Sequence, residues 1–320
     1  MAAAKIKGVV MTSVKAISIN DKRYALALLV TLLGAILFSA KGLFIKFAYQ
    51  YQVDTVTLLT IRMAIAVPIY LMIGFYSERF HQQRISRQQL MAISGFGFLG
   101  YYLASYLDMH GLHYISVSLE RVVLYLYPTF VLLLSAVVLK QRISRREIMA
   151  LMVAYLGIVF IFSEDMNGEM ENALLGGVLV ALSALSFAVF ILGSDRQIKL
   201  VGSVRFTAYA MSAAGFSVFM HYLLSDRTDI LLQHNQVYVW AGVLAILSTI
   251  IPTFFISHGL KVLGAKKVSM LGVVGPVSTM LLGVIFLGET LTPTRVGGIF
   301  VVILAVSFIV IFNKVDKDKQ

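Results

Sequence analysis

Five ionisable residues are embedded in long apolar stretches of this chain: Lys41, Arg62, Asp108, Glu120 and Arg121. A charge at the centre of a hydrocarbon layer costs at least about 2.5 kcal/mol and is kept where it meets water or a partner. Three cations and two carboxylates at one level suit a polar solute. Arg62 or Arg121 can grip a carboxylate or phosphate, because the planar guanidinium offers two parallel hydrogen bonds. Glu120 or Asp108 can accept an amine or carry a proton, since a buried carboxylate needs a cation or a proton to compensate it.

Structural roles compete with these. Lys46 reads as a residue that snorkels to the interface, and Lys41 can do the same. Glu120 and Arg121 point about 100° apart on a helix, so they do not neutralise each other face to face. A cross-pair such as Glu120 with Arg62 serves a strut as well as a binding site, and Asp108 also suits the border of a turn. Aromatic side chains crowd the same region, among them Tyr101, Tyr102, Tyr106, Tyr125 and Tyr127. Tyr102 and Tyr125 suit a cavity wall, and equally an interfacial belt. Gly275, Thr279 and Gly283 recur every four residues, a small face that admits close approach; Tyr127 is expected to fill the groove at Gly275. Pro128 and Pro276 mark hinge or packing points.

The elements that must position these groups follow from composition. The chain is 59% hydrophobic and 13% charged, against roughly 45–50% and about 25% in soluble domains. Ten apolar stretches of spanning length are expected near 24–46, 55–76, 88–108, 116–139, 147–163, 173–194, 204–224, 236–258, 268–287 and 295–313. Residues 1–23 form a basic arm with Ile6, Val10, Val14 and Ile17 at helical spacing, able to lie along the inner surface or to fray. Residues 314–320 form a tail.

Basic residues set the orientation. With the N-terminus cytoplasmic, the outer loops carry only Arg227 and Arg295, while ERFHQQRISR, KQRISRR and Lys261, Lys266 and Lys267 lie inside. This is the positive-inside bias, and it accounts for the net charge of +11 without nucleic acid. The termini are then both cytoplasmic, in the inner membrane. With no cysteine, disulfides, thiolate metal sites and cysteine nucleophiles are excluded.

The tripeptide HGL occurs at His110 and again at His258, a shift of 148 positions. The same shift lays Pro128 on Pro276, Val53 on Val201 and Met63 on Met211. Five helices are therefore duplicated, and an odd number per copy inverts the second copy in the membrane. Both HGL copies are expected at turns, after helices 3 and 8. The counterparts of Lys41, Arg62, Glu120 and Arg121 are Val189, Ala210, Val268 and Ser269, so the intramembrane charge is confined to one copy.

GLHYISVSLERVVLYLYPTFVLLLSAVVLKQRIS and GLKVLGAKKVSMLGVVGPVSTMLLGVIFLGETLT resemble the paired signature of the drug/metabolite transporter superfamily, specifically its EamA-type permeases. The resemblance covers residues 24–313. It implies a ten-helix basket around a central cavity, with helices 5 and 10 peripheral. The acidic residue that ends the family's helix is Gln141 in the first copy and Glu289 in the second, which reads as a helix-end group.

The expected fold is an all-α integral membrane protein of ten helices in two inverted repeats, 24–163 and 171–313. Together with the mixed-charge cluster, the resemblance implies a secondary transporter of small polar metabolites working by alternating access. Efflux of amino acids or related organic acids, with possible proton coupling, is the expected activity. A uniporter or exchanger without proton coupling, or a lipid-binding scaffold, are the alternatives. GLKVLGAK lacks the Lys-Ser/Thr end of a phosphate loop and follows no strand, so ATP is not implied. No hydrolase motif, metal-ligand set or cofactor motif is present.

Overall fold

The computed structural model describes residues 22–80, 84–111, 114–115, 117–162, 173–225, 229–288 and 291–315. Most of the basic arm, the side chains of Lys46 and Arg121, and Glu289 lie outside the described residues. Among the described residues there is no strand.

The helices run α1 Lys22–Tyr49, α2 Thr55–Glu78, α3 Arg87–Gly111, α4 over 117–138 and α5 Arg145–Phe162. After these come α6 Ala173–Val201, α7 Ser203–Leu224, α8 Asn235–Leu263, α9 over 265–287 and α10 Pro293–Val315. Among the described residues six of them, α1, α2, α3, α6, α8 and α9, are long and apolar enough to cross a membrane. Large apolar side chains such as Met72, Phe75, Met91, Leu174, Phe216 and Ile285 stand more than half exposed, a surface that hydrocarbon covers and water does not.

Local chemistry explains where the helices begin. The Asp54 carboxylate accepts from the N–H groups of Val56 and Thr57, capping α2. Ser86 and Gln89 form a reciprocal capping box on α3, and Ser144 with Glu147 does the same on α5. At the 148-residue shift stand Gly202, His234 and Thr292. Gly202 and His234 are the N-caps of α7 and α8, and Thr292 Oγ1 accepts from the Arg295 N–H at the start of α10. Lys140 and Gly288, again one shift apart, leave α4 and α9 with φ of 51° and 68°.

The helices also break in register. A π-helical turn interrupts α3 at Phe98–Leu103 and α8 at Ile246–Ile250. Helix α4 unwinds at 125–126 and α9 at 272–273. Each break lies just ahead of a proline, Pro128 or Pro276, whose ring clashes with the carbonyl four residues back and which has no N–H to donate.

The second HGL corrects one expectation. His258, Gly259 and Leu260 lie within α8, which continues to Leu263 and stops at Gly264 with φ of 83°. What the two copies share is close packing: a Cβ on Gly111 would meet Val180 and the Gly176 carbonyl of α6, and one on Gly259 would meet Thr31 of α1. The recurring glycine is kept for helix approach, and only the first copy ends its helix.

The broadest interfaces join α2 to α7 and α5 to α10, while α6 lies along α3 and α4. Met63 and Met211, one shift apart, are both fully buried in the core.

Candidate functional site

A cavity lies between α1, α3, α4, α6, α8 and α9. No residue lining it comes from α5 or α10. Its walls are mainly apolar, with Phe38 of α1 stacked on Phe187 of α6 at 6.1 Å between ring centres. Tyr127 meets the Phe187 ring edge-on at 5.3 Å.

Its charged groups are Lys41 and Asp108. Lys41 Nζ donates to Asp108 Oδ2 at 3.4 Å, with the two side chains 8% and 4% exposed. The ammonium also lies 5.5 Å from the centre of the Phe38 ring, where the π cloud attracts a cation. Asp108 Oδ1 is buried and has no hydrogen-bond partner. Ser39 Oγ donates to the Ala35 carbonyl and lies 3.1 Å from the Tyr125 hydroxyl. Ser105 and Ser183 add small polar groups to the wall, the latter donating to the Ala104 carbonyl of α3.

The break in α4 sets the two tyrosines. On a continuous helix residues two apart point about 200° from each other. Unwinding at 125–126 instead sends both hydroxyls to α9, where the Tyr125 hydroxyl occupies the space that a Cβ on Gly275 would need, and the Tyr127 hydroxyl the space at Gly272. Tyr127 then donates to the Ser269 carbonyl at 3.1 Å. The expected match of Tyr127 with Gly275 is thus shifted: Tyr125 sits there. Thr279 reaches the Ser39 carbonyl of α1 at 3.4 Å, and Gly283 accepts the Gly288 N–H that closes α9.

The remaining sequence-predicted residues are placed elsewhere. Glu120, in the first turn of α4, is fully buried but is not among the residues lining the cavity. Arg62 is 4% exposed, with Nε unpartnered, in electrostatic reach of the Tyr49 and Tyr70 hydroxyls. Among the described residues no ion pair of Arg62 with Glu120 is present, and Lys41 pairs with Asp108. Tyr102 turns away from the cavity, its hydroxyl 3.2 Å from His221 Nδ1 of α7 and its ring stacked on Tyr106.

Other polar contacts were not anticipated from the sequence. Arg205 of α7 grips Glu78 of α2 through Nε and Nη2, both at 2.9 Å, and Tyr209 donates to the same carboxylate. Asp229 accepts from Thr57, Tyr222 and Gln233. A second opening is lined by Gln141, Glu147, Asp195 and Lys266, with Lys266 3.6 Å from Glu147. The signal for such groups was a polar residue near a helix end, a position that many solvated side chains share.

The model of the EamA-like transporter family matches the chain twice, over residues 25–163 and 174–311. An uncharacterized transporter of Bacillus subtilis, YcbK, is 28% identical over 285 residues, covering 87% of this chain and 91% of its own. An uncharacterized transporter of Archaeoglobus fulgidus is 27% identical over 90% of this chain and 98% of its own. A solved crystal structure superposes with a TM-score of 0.75 at 16% identity, over 89% of this chain and 98% of its own, a likeness of fold alone.

Proposed function

The chain belongs to the EamA-like transporter family, and from this premise we propose that it is a secondary transporter of small polar metabolites in the cytoplasmic membrane. It works by alternating access, in the direction of efflux, and its substrates are amino acids or related organic acids. The observation that carries this reading is the buried Lys41–Asp108 pair in an aromatic-walled cavity between helices. A charge pair gains little stability from such a place; a transporter gains a polar foothold inside an apolar helix bundle.

All ten helices span the membrane, with both termini inside, as two inverted five-helix repeats. Support comes from the caps, π turns, proline breaks and left-handed exits that recur one shift apart. Because Thr57 and Arg205 are also one shift apart, the contact of Thr57 with Asp229 and that of Arg205 with Glu78 would lie at opposite ends of the α2–α7 pair. Rocking of one repeat against the other would load these two ends in turn.

Substrate or ion binding falls to the Lys41–Asp108 pair, Arg62, Glu120, Arg121 and Tyr125, with Tyr102 as an outer aromatic group. Tyr127, on the Ser269 carbonyl, closes the inner end of the cavity toward the vestibule around Glu147 and Lys266. A coupling proton, where one is used, resides on Asp108 or Glu120.

The test is flux in vesicles reconstituted with purified protein and loaded with a broad mixture of metabolites. Saturable export of amino acids or organic acids is expected. Absence of protein-dependent flux across the whole mixture would remove the transporter reading and leave a lipid-binding scaffold.

A further inference from the structure

Lys41 Nζ lies against a buried carboxylate and over the face of an aromatic ring, the surroundings that a bound organic ammonium ion would have. The carboxylate is not saturated: an ionised Asp offers about four acceptor positions, and the buried Oδ1 of Asp108, a residue that lines the same cavity, has no hydrogen-bond partner. Beyond it the wall is apolar, with Phe38, Phe187, Ile191, Ile256 and Val268.

We propose that Asp108 is the receptor for a primary ammonium group of the transported solute, that the body of this solute is apolar, and that Lys41 is a tethered stand-in which the solute displaces. This rests on the transporter reading above and narrows it: a carboxylic acid with no ammonium group is not a ligand. Lys41 then opposes binding. Were Lys41 instead the receptor for a substrate carboxylate, removing it would weaken binding. The two roles therefore predict opposite signs for one substitution.

The experiment uses sets of three compounds on one carbon skeleton. Leucine carries both charges, 3-methylbutylamine only the ammonium and 4-methylpentanoate only the carboxylate; phenylalanine, phenethylamine and 3-phenylpropanoate repeat the set with a ring. Binding is read as the ligand-induced rise in the unfolding midpoint of the purified full-length protein, and flux is read separately in vesicles. In at least one set the two ammonium-bearing members are expected to stabilise the wild type, and the acid is not. Lys41→Met is expected to tighten amine binding at least threefold, and Asp108→Asn to weaken it at least tenfold. Equal or better binding of the acid, no binding in either set, or weaker amine binding by Lys41→Met would overturn the proposal. If neither variant can be purified folded, the wild-type comparison decides. Binding with the expected selectivity but no flux of any compound would sink the transporter reading and leave the ammonium site standing.

Discussion

Arg121 follows the fully buried Glu120 by one residue in the first half of α4, and its counterpart in the second copy is Ser269. A guanidinium just over one turn into an apolar helix is costly to keep, and its proposed task is to hold the anionic end of the substrate. Arg121→Lys keeps the charge and loses the planar fork, whereas Arg121→Ala loses both. Both variants should reach the membrane at normal abundance and transport poorly, Ala by at least tenfold and Lys less, when initial rates are compared at equal protein. If Arg121 is only a strut to Glu120, changing both residues to Gln should instead restore folding and flux together. Near-normal flux by Arg121→Ala would end the binding role.

The broken helices α4 and α9 meet through two tyrosine hydroxyls set into two glycine notches. A Cβ at Gly272 would overlap the Tyr127 hydroxyl and lie near the Ser269 carbonyl, so Gly272→Ala must push Tyr127 out of place. Overpacking of this kind costs about 1–3 kcal/mol, and a lowered unfolding midpoint in detergent is the expected result. Adding Tyr127→Phe removes the colliding oxygen along with its bond to Ser269, and should recover part of the loss. A double variant no more stable than Gly272→Ala alone would show that the notch does not hold the hydroxyl.

For the whole molecule the proposed topology is open to direct labelling, because the chain contains no cysteine. Single cysteines replacing Asn167 and Asn235 should react with an impermeant thiol reagent from outside the cell, and those replacing Gln83 and Ser144 only after the membrane is opened. The reverse pattern would break the inverted-repeat assignment. A cavity bounded by α1, α3, α4, α6, α8 and α9 lies inside an apolar exterior, and α5 and α10, packed on each other, contribute nothing to its lining.

Sequence by itself determined the all-helical class, the apolar exterior and the 148-residue duplication, while the caps at Asp54, Ser86 and Ser144, not singled out beforehand, are equally local features. These are readable because capping, hydropathy and proline effects act within a turn or two of chain. It also marked Lys41, Arg62, Asp108 and Glu120 as buried charges, since an ionisable group in a long apolar run has nowhere else to go. Only the tertiary structure decided which of them meet. Lys41 joins Asp108 across 67 positions, Arg62 stays apart from Glu120, Tyr102 turns to His221, and Tyr125 rather than Tyr127 takes the notch at Gly275. Each outcome depends on how a helix is rotated about its axis and where it unwinds. Such rotations are set by packing against distant helices, and no local pattern of residues encodes them.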